Sequence, residues 1–309
     1  MRILHAADLH LDTAFDGLPD ALAARRRAEL REIPEKLVRL AERVGAQVVL
    51  LPGDLFDGRG GAEAIEAVER MLQALQVPVF IAPGNHDFYQ RRSPYATLSW
   101  PDNVHIFRSA QPEGVELPGK DCVIYGAAFP APHVPASPLS GFRAPEDGKL
   151  HIMVLHGEVG GGGDYGPISR EDIARSGLDY LALGHVHQYS GLQRAGRTVW
   201  AYPGCPEGRG FDELGEKGFY QGTLENGRVS LEFVPFARRR YEMLEVDVTG
   251  KDPRAALEAA LPPDTAQHLY RILLTGETGE GGANAPALRE SLADRFYALD
   301  IRDHTRMAE

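Results

Sequence analysis

The chain has 309 residues, 43% of them hydrophobic, and 33 Lys and Arg against 44 Asp and Glu give a formal net charge of -11. That is apolar content enough for about two globular domains, and the negative balance argues against a general nucleic-acid coat while leaving room for a local basic groove. A soluble, cytoplasmic protein is expected: no stretch approaches the roughly 18 apolar residues of a membrane span, MRILHAADLH carries no apolar leader, and Cys122 and Cys205 stand apart with no CxxC pair to make a disulfide framework or thiolate zinc site.

In chain order, short β-prone runs alternate with helical stretches. Strands are predicted at 2–7, 47–51, 77–82, 104–107, 122–127, 151–156 and 180–184, and helices at 19–44, 62–75 and 169–176. In the first helix Leu30, Ile33, Leu37, Leu40, Ala41 and Val44 recur at helical spacing. That stripe either packs on a sheet or forms a homodimer contact. From Arg197 the pattern turns strand-rich through TVWAYPG, GFYQGTL and VSLEFVPF. Such an order predicts two sheets packed face to face with helices outside.

A boundary falls near RRRYE, dividing the chain into domains at 1–238 and 239–309. Beyond it YEMLEVDV, LYRILLTG and FYALDIR read as three strands, with helices at 253–261 and 285–293. Residues 241–309 hold 13 acidic and 7 basic side chains, and GETGEGGANAP reads as a flexible surface loop.

The chemistry lies at the ends of the apolar runs. AADLH supplies Asp8 and His10, LLPGDLFD supplies Asp54, and IAPGNHD supplies Asn85 and His86. MVLHGEV supplies His156, and LALGHVH supplies His185 and His187. Polar groups at the end of a buried strand are costly unless something binds them. Strand alternation would point Asp8 with His10, and His185 with His187, to one side, and ligands gather at the carboxyl ends of strands in open α/β sheets. A glycine directly before Asp54, Asn85 and His185 allows a sharp turn and a close approach. One such histidine alone is more often a satisfied core residue, but five blocks in order are not. Carboxylates, imidazoles and an amide without thiolate suit Mn²⁺, Fe²⁺ or Zn²⁺. Seven donors exceed one tetrahedral centre, whereas two centres sharing a carboxylate account for all of them.

D-x-H, G-D, G-N-H-D, H-G and G-H-x-H in this order resemble the calcineurin-like metallophosphoesterases. HAADLHLD, GDLFD and PGNHD further resemble the SbcD-type DNA-repair exonucleases, within them the YhaO-like branch. The resemblance covers residues 1 to about 236 and the terminal unit only loosely. It implies an α/β two-sheet sandwich flanked by helices, followed by a small C-terminal α/β cap. Asp8, His10 and His187 would then hold one metal, and Asn85, His156 and His185 the other, with Asp54 bridging. His86 would serve the leaving group, and Asp87 would orient the loop or His86. The implied activity is a Mn²⁺-dependent phosphodiesterase, a DNA exonuclease or endonuclease of the SbcD type, 3′-to-5′ as an exonuclease, in which an activated water attacks phosphorus. Implied partners are DNA, an SbcC-type ATPase and a second copy of the chain.

Cations for a DNA substrate are expected at Arg91 and Arg92, then Arg209, Arg238–Arg240 and Arg25–Arg27. Tyr89, Tyr95 and Tyr165 are candidate base-stacking rings. The GEVGGGGDYG loop after His156 reads either as a clamp or as a plain connection. The acidic terminal unit counts against strong DNA clamping there. The sequence ends at DHTRMAE without the amphipathic tail by which relatives grip their ATPase, so either the partner is absent or the chain is cut short. The alternative reading is a small-molecule phosphodiesterase or phosphatase with the same dimetal centre.

Overall fold

The computed structural model describes residues Met1–Ala308. The chain divides into two compact units, Met1–Pro206 with Lys217–Phe236, and Glu207–Glu216 with the chain from Ala237 onward.

The strands of the first unit are β1 (Arg2–His5), β2 (Val48–Leu51), β3 (Val79–Ile81), β4 (Val104–Ile106), β5 (Glu113–Glu116) and β6 (Cys122–Gly126). They continue with β7 (Leu150–His156), β8 (Tyr180–Gly184), β9 (Gln193–Ala195), β10 (Thr198–Ala201), β11 (Gly218–Glu225) and β12 (Arg228–Pro235). Two six-stranded sheets result, in the orders β12-β11-β1-β2-β3-β4 and β5-β6-β7-β8-β10-β9. β1 to β4 run parallel, as do β6, β7, β8 and β10. Antiparallel strands close both edges of the second sheet and, as β11 and β12, one edge of the first.

Alternation along the strands builds three layers of core. Ile3, Val48, Leu50 and Phe80 meet Ile124, Ile152, Val154 and Ala182 between the sheets. Their neighbours Leu4, Val49, Leu51 and Ile81 face the helices instead, against Leu30, Leu37, Val68 and Leu72. On the far side Met153, Leu155, Leu181 and Leu183 pack with Ile173. Strands buried on both faces read as continuous apolar runs, which is why they are visible in the sequence.

The helix expected at 19–44 is two, α1 (Asp20–Leu30) and α2 (Ile33–Val44). Pro34 lacks an N–H, and its ring would strike the carbonyl four residues back, at Leu30. The apolar stripe survives the break, with Leu30, Ile33, Leu37, Leu40 and Ala41 all buried in the helix-side core. Helices α3 (Ala62–Ala74), α4 (Pro94–Thr97) and α5 (Arg170–Arg175) complete the unit. In the second unit β13 (Tyr241–Asp247), β14 (Leu269–Thr275) and β16 (Ala298–Asp303) form a parallel sheet. Helices α6 (Pro253–Ala260) and α7 (Ala285–Leu292) cover one face of it, and β15 (Glu277–Thr278) with β17 (Arg306–Met307) makes a separate two-stranded sheet.

One polar group ties the two sheets together. His5, fully buried on β1, places Nε2 3.0 Å from the Leu183 carbonyl and Nδ1 2.7 Å from the Tyr180 hydroxyl, both on β8. A carbonyl only accepts, so Nε2 carries the proton and Nδ1 accepts from Tyr180. Burial lowers the His5 pKa to about 3. The unfolded chain therefore takes up this proton first as pH falls below 6.5, and His5 contributes stability that is present above that value and lost on acidification. Denaturant titrations between pH 5 and 6.5 should show a steeper loss of stability in the native chain than in His5→Gln, by up to about 1.4 kcal/mol per pH unit.

Candidate metal centre

The polar blocks lie at the carboxyl ends of β1, β2 and β3 in one sheet and of β7 and β8 in the other. Strand alternation does not produce the pairs, contrary to the expectation. β1 ends at His5 and β8 at Gly184, so Asp8, His10, His185 and His187 stand on the turns beyond. There the backbone is left-handed, with φ of 55° at Asp8, 44° at His10, 53° at Asp54 and 112° at His185. Such positions cost about 1–3 kcal/mol each and persist only where the surroundings enforce them. The enforcement is visible, since Asp8 N donates to Gly53 O and His10 N to Asp54 O, at 3.1 and 3.0 Å, zipping the two turns together.

The glycines do what close approach requires. A Cβ on Gly53, where φ is 88°, would lie 2.8 Å from His156 Nδ1. One on Gly84 would lie 2.7 Å from the same nitrogen and strike Asp54 Oδ1, and one on Gly184 would strike the Pro52 carbonyl.

Seven side chains converge. His10 Nε2 is 3.1 Å from His187 Nε2 and 3.9 Å from Asp8 Oδ1, and His187 Nε2 is 3.8 Å from Asp8 Oδ1. Around the second group, His156 Nε2 is 2.8 Å from Asn85 Oδ1, and His185 Nδ1 is 3.3 Å from the same oxygen. Asp54 Oδ2 joins them, 3.6 Å from His10 Nε2 and 3.3 Å from His156 Nε2. Asp8, His10, Asp54 and His156 are all buried. His86 is different, because its side chain is 45% exposed and its Nδ1 lies 2.7 Å from Asp57 Oδ1. Its ligand atoms come within 4.8 Å of those of His10 and Asp54.

The electrostatics follow from burial and from the mutual pull of these charges. Burial raises Asp8 to about 7, against the pull of His187 and His156. Burial alone would raise Asp54 as well, but His156, His10 and His86 hold it well below the carboxylate range. Burial would lower His156, yet the Asp54 charge and contact lift it to about 9, while burial and the neighbouring His156 push His185 down to about 4.

Comparison with known proteins bears on what such a centre is for. The family model described as calcineurin-like phosphoesterase matches residues 1–189. The chain belongs to the calcineurin-like phosphoesterases. Among its relatives, an uncharacterized metallophosphoesterase, YhaO, of Bacillus subtilis is 34% identical, over 99% of this chain and 82% of its own. The DNA double-strand break repair protein Mre11 of Methanopyrus kandleri is 26% identical over 81% of this chain. The SbcD component of the nuclease SbcCD, also from Bacillus subtilis, is 26% identical over 70%. The chain spans 60% and 64% of the length of those two.

Calcineurin-like phosphoesterases are metal-dependent phosphoester hydrolases with a dimetal centre, and the donors here fit one. His156 Nδ1 donates to the Pro52 carbonyl at 2.9 Å. The lone pair of a neutral ring is thereby aimed from Nε2 at two oxygens, Asn85 Oδ1 and Asp54 Oδ2. Acceptors facing an acceptor need a proton or a cation between them. A histidine that donates its far N–H to a backbone carbonyl is also the usual arrangement of a metal-ligating ring.

The turns that carry these donors are held in shape by Asp87, 3% exposed. Its carboxylate accepts from Asp54 N at 3.0 Å, Leu55 N at 2.8 Å and Gly84 N at 2.8 Å, and from the Tyr95 hydroxyl. Asp87 thus fastens the β2 turn to the β3 turn. Sequence reading missed Asp57, although GDLFD contains it, because its role depends on contact with His86, 29 positions away. Tyr95 was a candidate stacking ring, but at 1% exposure it is a buried partner of Asp87. Tyr89 lies partly against the helix-side core with Arg108 over its ring, and Tyr165 stacks on His185 at 5.1 Å.

The expected cations separate. Arg91 and Arg92 are exposed and make no ion pair among the described residues. Arg209 pairs with Glu213, Arg240 with Glu242 and Asp264, and buried Arg239 lies over the Tyr297 ring, so these belong to the framework of the second unit. Arg26 is buried against Glu29. In the GEVGGGGDYG loop both ends are fastened, by Tyr202 Oη to the Gly157 carbonyl at 2.7 Å and by Gly166 N to Val134 O at 2.8 Å.

Asp87→Ala leaves several buried N–H groups unpaired, each costing about 1–3 kcal/mol. Urea denaturation should show a loss of at least about 3 kcal/mol, and calorimetric Mn²⁺ titration of the variant should show weakened binding, because the Asp54 turn is no longer fixed.

Proposed function

We propose that this chain is a Mn²⁺-dependent phosphodiesterase that degrades DNA, an SbcD-type 3′-to-5′ exonuclease serving DNA repair. Asp8, His10 and His187 would hold one ion and Asn85, His156 and His185 the other. The observation that carries the reading is Asp54, whose Oδ2 stands between His10 and His156 and so belongs to both groups. When bound, a pair of divalent cations supplies charge for the phosphate oxygens and lowers the pKa of an attacking water from 15.7 to about 7.

The chain's own residues supply the rest. The His10 ring, 3.7 Å away, and the hydrogen bond from His86 hold Asp57 far below the usual carboxylate range, so it stays charged and takes the Nδ1 proton of His86 as a hydrogen bond. His86 would then act on the departing oxygen, to protonate it or to stabilise its charge, an effect worth about 10²–10⁴-fold. His86 is exposed whereas most of the metal-binding candidates are buried, which suits a group that meets substrate better than one that holds an ion. Arg91 and Arg92, five and six positions beyond it, and Tyr89 are the proposed DNA contacts. Mre11 and SbcD relatives support the nucleic-acid substrate. An SbcC-type ATPase and a homodimer extend the proposal, as does a cytoplasmic location; among the described residues no helix is long and apolar enough to cross a membrane.

In elemental analysis His86→Ala should keep both Mn²⁺ ions while losing about 10²-fold or more in turnover of end-labelled DNA. Asp54→Ala should lose metal and activity together. Equal metal loss in the two variants would refute the separate roles.

One observation favours the small-molecule reading: of the expected cations, Arg209, Arg239 and Arg240 serve the second unit. Salt decides between the two. DNA cleavage governed by phosphate contacts should fall steeply between about 50 and 200 mM salt. Salt-insensitive hydrolysis of a model diester, with no DNA turnover, would establish the small-molecule substrate instead.

A further inference from the structure

Immediately after His187 the chain presents an aromatic ring that the fold leaves uncovered. Tyr189 is 36% exposed, and Leu192 beside it 40% exposed. The Tyr189 ring lies nearly parallel to Phe233 of β12, with centroids 4.1 Å apart and planes inclined by 22°. Phe233 in turn meets the buried Tyr220 edge-on at 5.8 Å. The outer ring is therefore mounted on the sandwich core. The backbone beneath it is fixed as well. Cys205 N donates to His187 O at 3.2 Å, Ser190 N donates to Tyr202 O at 3.0 Å, and a Cβ on Gly204 would lie 2.7 Å from His187 O. Two peptide steps keep the Tyr189 Cα within about 7.6 Å of that of His187.

Behind the same segment sits a buried ammonium with no counter-charge. Lys217 is 2% exposed and forms no ion pair among the described residues. Its Nζ donates to Gln188 Oε1 at 2.9 Å. An ammonium taken from water without an anion is costly. Its charge polarises the Gln188 amide, whose NH₂ end has no partner among the described residues and whose side chain is exposed between His187 and Tyr189.

We propose that Gln188 and Tyr189, backed by Lys217 and Phe233, form a nucleotide subsite beside the metal centre. A base of a single-stranded nucleic acid stacks on Tyr189, and the adjoining phosphate accepts from the Gln188 amide under the Lys217 charge. This rests on the nuclease reading and gives it a way to take substrate by its bases as well as its backbone. An aromatic platform next to a cationic groove is how single strands are commonly held without sequence preference.

The test is fluorescence anisotropy of the full Mn²⁺-loaded chain with a labelled single-stranded oligonucleotide and with its abasic counterpart of equal length and charge. The native chain should prefer the base-bearing strand, and Tyr189→Ala should reduce that preference by roughly 5- to 150-fold, the span of one stacked base. Tyr189→Phe should retain it, and Lys217→Met should weaken both strands alike. The proposal is overturned if the native chain binds the two strands equally, or if Tyr189→Ala leaves their ratio unchanged. If Tyr189-dependent preference is found and no DNA is cleaved, the nuclease reading falls and the subsite stands.

Discussion

Two carboxylates, Asp8 and Asp54, lie out of water within reach of the same imidazoles. Removing such charges from solvent costs several kcal/mol apiece in a protein interior. Most of what is unusual in the first unit answers that cost. Backbone N–H groups of His185 and His86 are turned toward Asp8 and Asp54. Imidazoles ring the carboxylates, and a third buried acid, Asp87, holds the turns in place. Protons on the histidines can balance the charge, but a pair of divalent cations does so with the full donor set satisfied.

The sandwich makes this convergence routine. Adjacent parallel strands β1, β2 and β3 end at one level and deliver Asp8, Asp54 and Asn85 side by side. In the other sheet neighbours β7 and β8 deliver His156, His185 and His187. A core between the sheets fixes the separation of the two rims, and the His5 bridge from β1 to β8 adds a directional tie across it.

Much of this was legible in the residues themselves. Strands buried on both faces announce themselves as apolar runs, and polar residues at their ends, preceded by glycine in Gly53-Asp54, Gly84-Asn85 and Gly184-His185, mark the rim. The break at Pro34 was readable too, had the ring's clash with Leu30 been weighed against the unbroken apolar stripe. What was not legible depends on distant partners. Alternation could not reveal that Asp8 and His10 sit beyond the strand in left-handed turns, since φ there is imposed by pairing with residues 53 and 54. Nor could it distinguish Tyr95, buried on Asp87, from Tyr189, left open to solvent; both are tyrosines a few positions past a block of candidate site residues.

The left-handed conformations at Asp8, His10, Asp54 and His185 set endurance against chemistry at the same four positions. Glycine would sit there at ease, and a chain selected only for resistance to heat would drift toward it. Each such replacement would delete the side chain that the proposed function gives to an ion. The rim is thus a place where natural selection must keep accepting tension, and where stabilising redesign should leave the backbone alone and look to the helices and outer faces.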